Sequence, residues 1–277
     1  MDNLQPQTVE IREAAPSGQH KPESISIIFP AFNEEDNIES AIAAARKAML
    51  KFFAPDKIEI IPVDDGSTDN TRKILDRLAA SCPDVRPIHH AKNKGYGAAL
   101  RTGLYAARNE LVFFSDSDLQ FDLEEIEYLL DHIDEYEIVA GYRGKRADAA
   151  QRRLNAWGWN MLVRSLLGVK VRDIDCAFKL FRREVFDTIK LTSVGAMVNT
   201  ELLALATQQK MRIKEVRVSH YPRTAGTQTG ANLKVIAKAF RELFAMYGRL
   251  KLRGDGTLHL PRDARMGDLD LAPDSGR

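Results

Sequence analysis

The chain has 277 residues, of which 44% are hydrophobic and 29% charged, and its formal net charge is +1. These values are typical of a globular protein with one large domain or two small ones, and the balanced charge predicts no nucleic-acid partner. The two cysteines, Cys82 and Cys176, are too few and too far apart to predict a disulfide framework or a zinc site.

Residues 1–24 are polar and contain Pro6, Pro16 and Pro22, so they predict a flexible leader and not a secretion signal. No stretch approaches the roughly 18 consecutive apolar residues of a membrane-spanning helix. We therefore expect a cytoplasmic protein whose contact with a membrane, on the inner face, would be peripheral.

The first half of the chain alternates between predicted strands and helices. Short apolar runs predict strands over Ile25–Phe29, Ile58–Val63, Val85–His89 and Leu111–Phe114, with helices between them. Asp36 or Asn37 is expected to cap the first helix, and Asp69 to begin the second. This series predicts an α/β fold with a mostly parallel sheet and helices on both faces. Ligands bind such sheets beyond the carboxyl ends of the strands.

The second half has a less regular order of predicted elements. Helices are expected over Leu123–His132, Leu154–Leu167 and 199–209, strands over Glu137–Gly141 and Ile213–Val218, and a turn, strand and helix start within 173–186. Residues 232–253 predict a basic amphipathic helix, followed by a polar tail over 254–277. That helix can lie in a membrane interface or pack on its own domain or on a second subunit.

The most informative stretch is LVFFSDSDLQFD, residues 111–122, where an apolar strand ends in acidic residues. Asp116 and Asp118 are two residues apart, so in an extended chain their side chains point the same way. Carboxylates held together repel each other unless a cation lies between them, and Mg²⁺ or Mn²⁺ is the simplest candidate. The alternative is a solvated acidic turn.

Two glycines, Gly95 and Gly97, raise the alternative of a dinucleotide-binding fold. Leu100 occupies the place of the third glycine of that fingerprint, so each glycine is better explained by a positive φ at a helix start. Lys92 and Lys94 beside them can neutralise phosphate or remain solvated.

Six motifs occur in a characteristic order: PAFNEED (30–36), VDDGSTDNT (63–71), NKGYGAALRTGL (93–104), DSDLQFD (116–122), DIDCAFKLFRR (173–183) and HYPRTAGTQTG (220–230). Together they resemble the family 2 inverting glycosyltransferases of GT-A fold, most closely the dolichyl- or polyprenyl-phosphate sugar synthases. The resemblance runs from about Ser24 to about Tyr247 and implies a GT-A domain over residues 25–231.

The resemblance also implies roles for individual residues. Nucleotide-binding positions are Pro30, Phe32, Glu34, Val63, Asp65 and Lys94, with Phe32 in place of the usual tyrosine. The metal-binding positions are Asp116, Asp118 and Gln120, and the catalytic positions are Asp116, Asp118, Arg143, Arg223 and Asp175. Gln228 and Thr229 replace a Ser-Lys pair of the late loop, so one phosphate-binding cation of the family is missing.

The implied reaction is transfer of a hexose, with inversion, from a UDP- or GDP-sugar to a polyprenyl phosphate, with Mg²⁺ or Mn²⁺ as cofactor. A hydroxyl acceptor on a glycan or small molecule is the alternative, and it requires a base, for which Asp173 or Asp175 is the candidate. A non-catalytic nucleotide-sugar-binding scaffold is the alternative from another class. A homo-oligomer, or a membrane protein as partner, is a further expectation.

Overall fold

The computed structural model describes residues 22–144, 158, 161–222 and 241–249. Its strands are Ile25–Ala31 (β1), Ile58–Asp64 (β2), Ile88–His89 (β3), Leu111–Ser115 (β4), Ile138–Arg143 (β5), Phe178–Arg182 (β6) and Ile213–Val218 (β7). Its helices are Ile38–Met49 (α1), Thr71–Ser81 (α2), Tyr96–Ala106 (α3), Ile126–Leu130 (α4), 161–167 (α5), Val185–Thr188 (α6), Val198–Gln208 (α7) and 241–249 (α8). Short 3₁₀ turns cover Pro55–Lys57 and Leu123–Glu125.

The strands form a single seven-stranded sheet in the order β3-β2-β1-β4-β6-β5-β7. The pairs β1–β2, β1–β4, β2–β3 and β5–β7 are parallel, and β6 runs antiparallel to both of its neighbours. The predicted α/β fold with a mostly parallel sheet is confirmed.

Apolar strands at the centre of the sheet explain why it is covered on both faces. Every residue of β1 and β4 is buried, which is the pattern of a parallel strand with helices on each side. Phe113 packs edge-on against Phe178 of β6, with 4.8 Å between the ring centroids. Complete burial of such a side chain contributes about 1.5–3 kcal/mol, so these central strands form the core that holds the site rigid.

The strand order reverses direction between β1 and β4, because the chain first builds β2 and β3 on one side and then crosses back. Right-handed crossovers place α1 and α2 on one face of the sheet and α3 on the other. A crevice opens where the order reverses, beyond the carboxyl ends of β1 and β4. β6 is antiparallel, so the loop that precedes it reaches the same edge: Ser115 pairs with Phe178.

Several element boundaries differ from the sequence expectations. β3 covers only two residues because Pro87, which has no N–H, interrupts the run after an isolated bridge between Val85 and Ile60. β1 continues through Pro30, beyond the point where its pairing with β4 ends at Ile28. The predicted Leu123–His132 helix begins as a 3₁₀ turn and its α-helical part ends at Leu130.

Asn37 is confirmed as the residue at the N-cap of α1, whereas the expected start of α2 at Asp69 is one residue too early. Asn37 precedes α1, but its amide donates to the Glu34 carboxylate instead of accepting from the helix. Asn70, one residue later than predicted, precedes α2. Asp69 lies just before the helix and still stabilises its first turn, because its carboxylate accepts a 2.9 Å hydrogen bond from the Thr71 N–H.

α8 is the described part of the predicted amphipathic helix. Leu243 and Met246 are buried in the core of the domain, whereas the ring of Phe244 is 55% exposed. At these positions the apolar stripe packs on its own domain. Residues 232–240 and 250–253, Arg223, the leader up to residue 21 and the tail over 254–277 lie outside the described residues. Among those that are described, no helix is long and apolar enough to cross a membrane.

Candidate functional site

The acidic residues after β4 lie at the crevice, as the sequence predicts. Asp118 is buried, and its Oδ1 accepts a 3.2 Å hydrogen bond from the Gln120 N–H. Between them, Leu119 has a φ of 59°, a left-handed conformation that is strained for a residue with a branched side chain. The chain therefore turns sharply at Leu119, directly after Asp118, and both carboxylates remain at the end of β4.

Asp116 is held by a hydrogen bond that the sequence analysis did not predict. The Tyr96 hydroxyl, at the start of α3, donates to Asp116 Oδ1 at 3.0 Å. Burial, followed by the charge of Asp118, raises the pKa of Asp116 to about 7, although Tyr96 and the nearby Lys179 oppose the shift. Two carboxylates in this position are therefore poorly stabilised as anions by the protein alone.

A divalent cation fits this pair of carboxylates. In the part of the chain that the structure describes, no group of three or more His, Cys, Asp or Glu side chains could hold a metal. Asp116 and Asp118 supply two oxygen ligands, which suits Mg²⁺ or Mn²⁺ because these cations share their coordination with substrate phosphates and water. The raised pKa of Asp116 supports the same conclusion, because a bound cation would offset both causes of the shift, burial of the carboxylate and the charge of Asp118.

Gln120, predicted as a third metal ligand, pairs with the late loop. Two hydrogen bonds join Gln120 to Tyr221. The side-chain Nε2 of Gln120 donates to the Tyr221 carbonyl at 3.0 Å, and the Tyr221 N–H donates to the main-chain carbonyl of Gln120 at 2.8 Å. The side-chain oxygen Oε1 is not used in this pair. The pairing brings the start of the segment that leads to Arg223 next to the acidic pair, while Arg223 itself is outside the described residues.

Asp65, a predicted nucleotide-binding residue, organises the loop before α3. It is 2% exposed and accepts hydrogen bonds from the Lys94 N–H at 2.9 Å, the Gly95 N–H at 2.8 Å and His90 Nδ1 at 2.7 Å. The other ring nitrogen of His90 contacts the Thr102 hydroxyl at 3.0 Å. These bonds fix the Lys94 backbone beside the crevice, where its side chain can approach a phosphate.

The two glycines of this loop have structural reasons that do not involve a dinucleotide. Gly95 has a φ of 98°, and a Cβ there would lie 2.6 Å from the Val194 carbonyl oxygen. A Cβ on Gly97 would collide with the Gly195 carbonyl oxygen. The expected positive φ is confirmed at Gly95, and close approach of the 194–195 segment explains Gly97.

The segment after β1 lies on the other side of the crevice. The Phe32 ring is 44% exposed, as stacking on a base requires, and the Ser117 hydroxyl donates to the Pro30 carbonyl at 3.4 Å. The Glu34 carboxylate accepts from the Asn37 amide at 2.8 Å. Val63 is fully buried in β2, so its side chain belongs to the core.

Arg143 and Asp173 form a bidentate ion pair at the end of β5. Arg143 Nε and Nη2 each donate to one oxygen of Asp173 at 2.7 Å, and the Arg143 N–H donates to the same carboxylate at 3.2 Å. Despite its burial, Arg143 has a pKa above its usual range because of the hydrogen bonds and charge of Asp173. Asp173 is thus a positioning partner of Arg143. Asp175, two residues on, is exposed.

Lys179 is a second cation that sequence reasoning missed. It is fully buried in β6, and its Nζ donates to the carbonyl oxygens of Ile174, at 3.1 Å, and Cys176. Burial lowers its pKa, which the neighbouring Cys176 and Asp173 oppose. The feature of the sequence that could have indicated it is a single basic residue inside the apolar run FKLF. The two hydrogen bonds of Lys179 hold the loop that carries Asp173 and Asp175.

Comparison with known proteins agrees with this geometry. Residues 26–190 match the family model described as glycosyl transferase family 2. Glycosyltransferase AglD of Haloferax volcanii is 31% identical over 207 residues, which are 72% of this chain and 33% of AglD. Dodecaprenyl-phosphate galacturonate synthase of Rhizobium johnstonii is 30% identical over 210 residues, 73% of this chain and 60% of that protein.

A third relative is undecaprenyl-phosphate 4-deoxy-4-formamido-L-arabinose transferase of Pectobacterium atrosepticum. It is 31% identical over 221 residues, which are 77% of this chain and 64% of that protein. The chain thus spans between one third and two thirds of the length of these three relatives.

Solved structures share the fold. Glucosyl-3-phosphoglycerate synthase from Mycobacterium tuberculosis, in complex with phosphoglyceric acid, has a TM-score of 0.61 at 22% identity, covering 81% of this chain and 79% of that one. Its complex with Mn²⁺, UDP and glucosyl-3-phosphoglycerate has a TM-score of 0.60. The family model covers more than half of the chain and includes both the acidic pair and the Arg143–Asp173 pair, so the chain belongs to glycosyl transferase family 2.

Proposed function

We propose that the chain transfers a hexose from a nucleotide diphosphate sugar to a polyprenyl phosphate, with inversion and with Mg²⁺ or Mn²⁺ as cofactor. The observation that carries the proposal is the pair Asp116 and Asp118 at the reversal of strand order, with Asp118 buried and the pKa of Asp116 raised to about 7. The names of two relatives support the lipid acceptor, since they specify dodecaprenyl and undecaprenyl phosphate. A solved neighbour contains Mn²⁺ together with UDP.

In this proposal the nucleotide lies between the segment after β1 and the loop held by Asp65. The exposed Phe32 ring stacks on the base, and the remaining lone pair of the Asp65 carboxylate accepts from a base N–H or a ribose hydroxyl. The Lys94 side chain, whose backbone N–H is already fixed by Asp65, then lies near the phosphates. Pro30 and Glu34 shape the same wall.

The leaving diphosphate has to be neutralised as the sugar departs. Asp116 and Asp118 would hold the cation, which supplies Lewis-acid stabilisation of that charge when it is bound. Arg143 is presented in a fixed orientation by Asp173, and Nη1 of its guanidinium lies outside that ion pair. We assign it, together with Arg223 from the late loop, to the phosphates, because guanidinium groups bind phosphate oxygens bidentately.

The environment of Asp173, beside β6, favours a phosphate acceptor over a hydroxyl acceptor. A phosphate monoester with a second pKa near 6 is largely ionised at pH 7, so it requires positioning and no general base. Asp173 is already engaged by Arg143, which makes it a poor base.

A hydroxyl acceptor is the second candidate, and one observation favours it. Asp175 is exposed in the loop that reaches the site edge, where a carboxylate can accept a proton from a hydroxyl. A non-catalytic scaffold is the candidate from another class.

In this proposal the enzyme works at the cytoplasmic face of a membrane, where it would meet its polyprenyl phosphate acceptor. The exposed ring of Phe244, on the basic helix predicted over 232–253, supports a peripheral contact. Association with a second copy or with a membrane protein is part of the same proposal and would bring the site to its lipid.

The test is transfer of radiolabelled sugar from UDP-glucose, UDP-N-acetylglucosamine and GDP-mannose into butanol-extractable lipid, with polyprenyl phosphate and either Mn²⁺ or a chelator. Metal-dependent label in the organic phase supports the proposal and identifies the donor. Label that appears only in a water-soluble product supports the hydroxyl acceptor. A donor that is bound but not turned over would support the scaffold. Failure of every donor to be turned over or bound would refute the proposed function.

Asp118→Asn separates an enzyme from a scaffold, because it removes one charge of the acidic pair with little change in shape. We expect it to abolish transfer. Asp122→Asn is the matched control: it lies in the same motif, and its Oδ1 accepts the Glu124 N–H at 3.0 Å, a bond that an amide oxygen preserves. Equal activity of the two variants would refute the metal role of Asp118.

A further inference from the structure

Two consecutive histidines at the end of β3 each contact one of two consecutive aspartates at the end of β2. His89 pairs in register with Asp64, and its Nδ1 lies 3.0 Å from Asp64 Oδ2. His90 Nδ1 lies 2.7 Å from Asp65 Oδ1. Successive residues of an extended chain point to opposite faces, so the two pairs lie on opposite sides of the sheet. Only the His90 pair includes a proposed nucleotide-binding residue, Asp65.

The hydrogen bonds to the Asp65 carboxylate are distributed unequally between its two oxygen atoms. The consecutive N–H groups of Lys94 and Gly95 donate to Oδ1 and Oδ2 respectively, at 2.9 and 2.8 Å. With these two bonds alone, the two oxygens would be equivalent. His90 adds a second bond to Oδ1. Since a carboxylate has about four lone-pair sites in total, the one that remains is on Oδ2.

His90 is itself held at both ring nitrogens. An ionised carboxylate can only accept, so the hydrogen of the bond to Asp65 is on Nδ1. Nε2 lies 3.0 Å from the hydroxyl of Thr102 in α3, which can donate or accept. The imidazole is only 5% exposed, so water competes little for these bonds. The orientation of the ring is therefore fixed between β2 and α3.

We propose that His90 is a positioning residue for nucleotide binding: its Nδ1–H occupies Asp65 Oδ1 and thereby directs Oδ2 to a hydrogen-bond donor of the nucleoside. The inference rests on the proposed function, in which Asp65 accepts from a base N–H or a ribose hydroxyl. An acceptor that is fixed before the ligand arrives does not have to be ordered on binding, so its bond contributes more to affinity. His90 thus acts on the nucleotide through Asp65.

The experiment measures dissociation constants by calorimetry in the presence of Mn²⁺. The ligands are UDP and three analogues that each lack one donor, N3-methyl-UDP, 2′-deoxy-UDP and 3′-deoxy-UDP, or the corresponding GDP series if GDP binds instead. Inorganic pyrophosphate tests the metal site without a nucleoside. The proteins are the wild type, His90→Phe, His90→Asn and His89→Phe, with His90→Leu in place of His90→Phe if that variant does not fold.

Each variant tests one part of the inference. His90→Phe removes Nδ1 and keeps a flat ring. His90→Asn places an amide N–H near the position of Nδ1, so it should restore the bond to Asp65. His89→Phe is the matched control, because it removes the equivalent bond, to Asp64, on the opposite side of the sheet.

We expect the wild type to bind one analogue about tenfold more weakly than the parent nucleotide, as loss of a hydrogen bond to a charged group predicts. In His90→Phe this penalty should fall to about threefold or less, because Oδ2 is no longer singled out as the acceptor. The same variant should bind the parent nucleotide more weakly and pyrophosphate like the wild type. His90→Asn should recover most of the penalty, and His89→Phe should keep the wild-type pattern.

Three results would overturn the inference while leaving the proposed function intact. One is a wild type that binds nucleotide without a penalty for any analogue. Another is a folded His90→Phe variant with the wild-type penalty. The third is equal weakening of nucleotide and pyrophosphate in His90→Phe with no recovery in His90→Asn, which would make His90 a purely structural residue. If neither UDP nor GDP binds the wild type with Mn²⁺, the proposed function fails and the inference fails with it.

Discussion

The bidentate pair of Arg143 and Asp173 gives a prediction of stability with a magnitude. Their side chains are only 16% and 7% exposed, and two 2.7 Å charge-assisted bonds join them. Removing one partner of a buried ion pair costs about 3–5 kcal/mol, because the other charge is left buried and unpaired. Arg143 keeps some contact with water, so we expect Asp173→Leu to lower the free energy of unfolding by about 3 kcal/mol.

Urea denaturation followed by circular dichroism measures this change. The double variant Arg143→Met/Asp173→Leu is expected to recover part of the loss, because no unpaired charge remains. Asp175→Asn, in the same loop but exposed, should leave stability within about 0.5 kcal/mol of the wild type.

The reasoning would be refuted if Asp173→Leu cost less than about 1 kcal/mol, the level of a surface ion pair. It would also be refuted if the losses of stability measured for Arg143→Met and for Asp173→Leu alone simply added in the double variant. Residues of one ion pair are expected to be coupled.

Three further predictions concern buried positions. Native protein should be alkylated at Cys82 and not at Cys176, because burial raises the pKa of the Cys176 thiol to about 12; equal labelling would contradict this. Gly97→Ala should lower the melting temperature by several degrees, through its clash with a backbone carbonyl, whereas Gly158→Ala, with no atom near its Cβ, should not. Lys179→Met should weaken Mn²⁺ binding in a titration, since Lys179 holds the loop beside the site; an unchanged affinity would argue against that role.

The sequence predicted the parts of the site that local patterns encode. An apolar run that ends in Asp116 and Asp118 indicates a buried strand with acids at its end, and the β-α alternation places such ends along one edge. Both expectations are met in the structure. The alternation of strands and helices could not predict that β6 is antiparallel. That orientation depends on the path by which residues 173–177 lead the chain back to the sheet.

Contacts between distant segments were beyond sequence reasoning. Tyr96 reaches Asp116 across 20 residues of sequence, and Gln120 reaches Tyr221 across 101. Such contacts depend on side-chain directions set by packing, for which neither spacing nor residue type gives a signal. The bonds from Lys94 and Gly95 to Asp65 likewise depend on the positive φ of Gly95, which the sequence indicates only as a possibility.

The most direct test of the central claim is nucleotide binding as a function of metal, measured on the wild type and on Asp118→Asn. The account predicts that UDP or GDP binds the wild type tightly with Mn²⁺ and weakly with a chelator, and that Asp118→Asn binds weakly under both conditions. Asp122→Asn should behave like the wild type, because Asp122 only caps the turn that follows. Nucleotide affinity that is independent of Mn²⁺ in the wild type, or unchanged in Asp118→Asn, would contradict a metal site at Asp116 and Asp118.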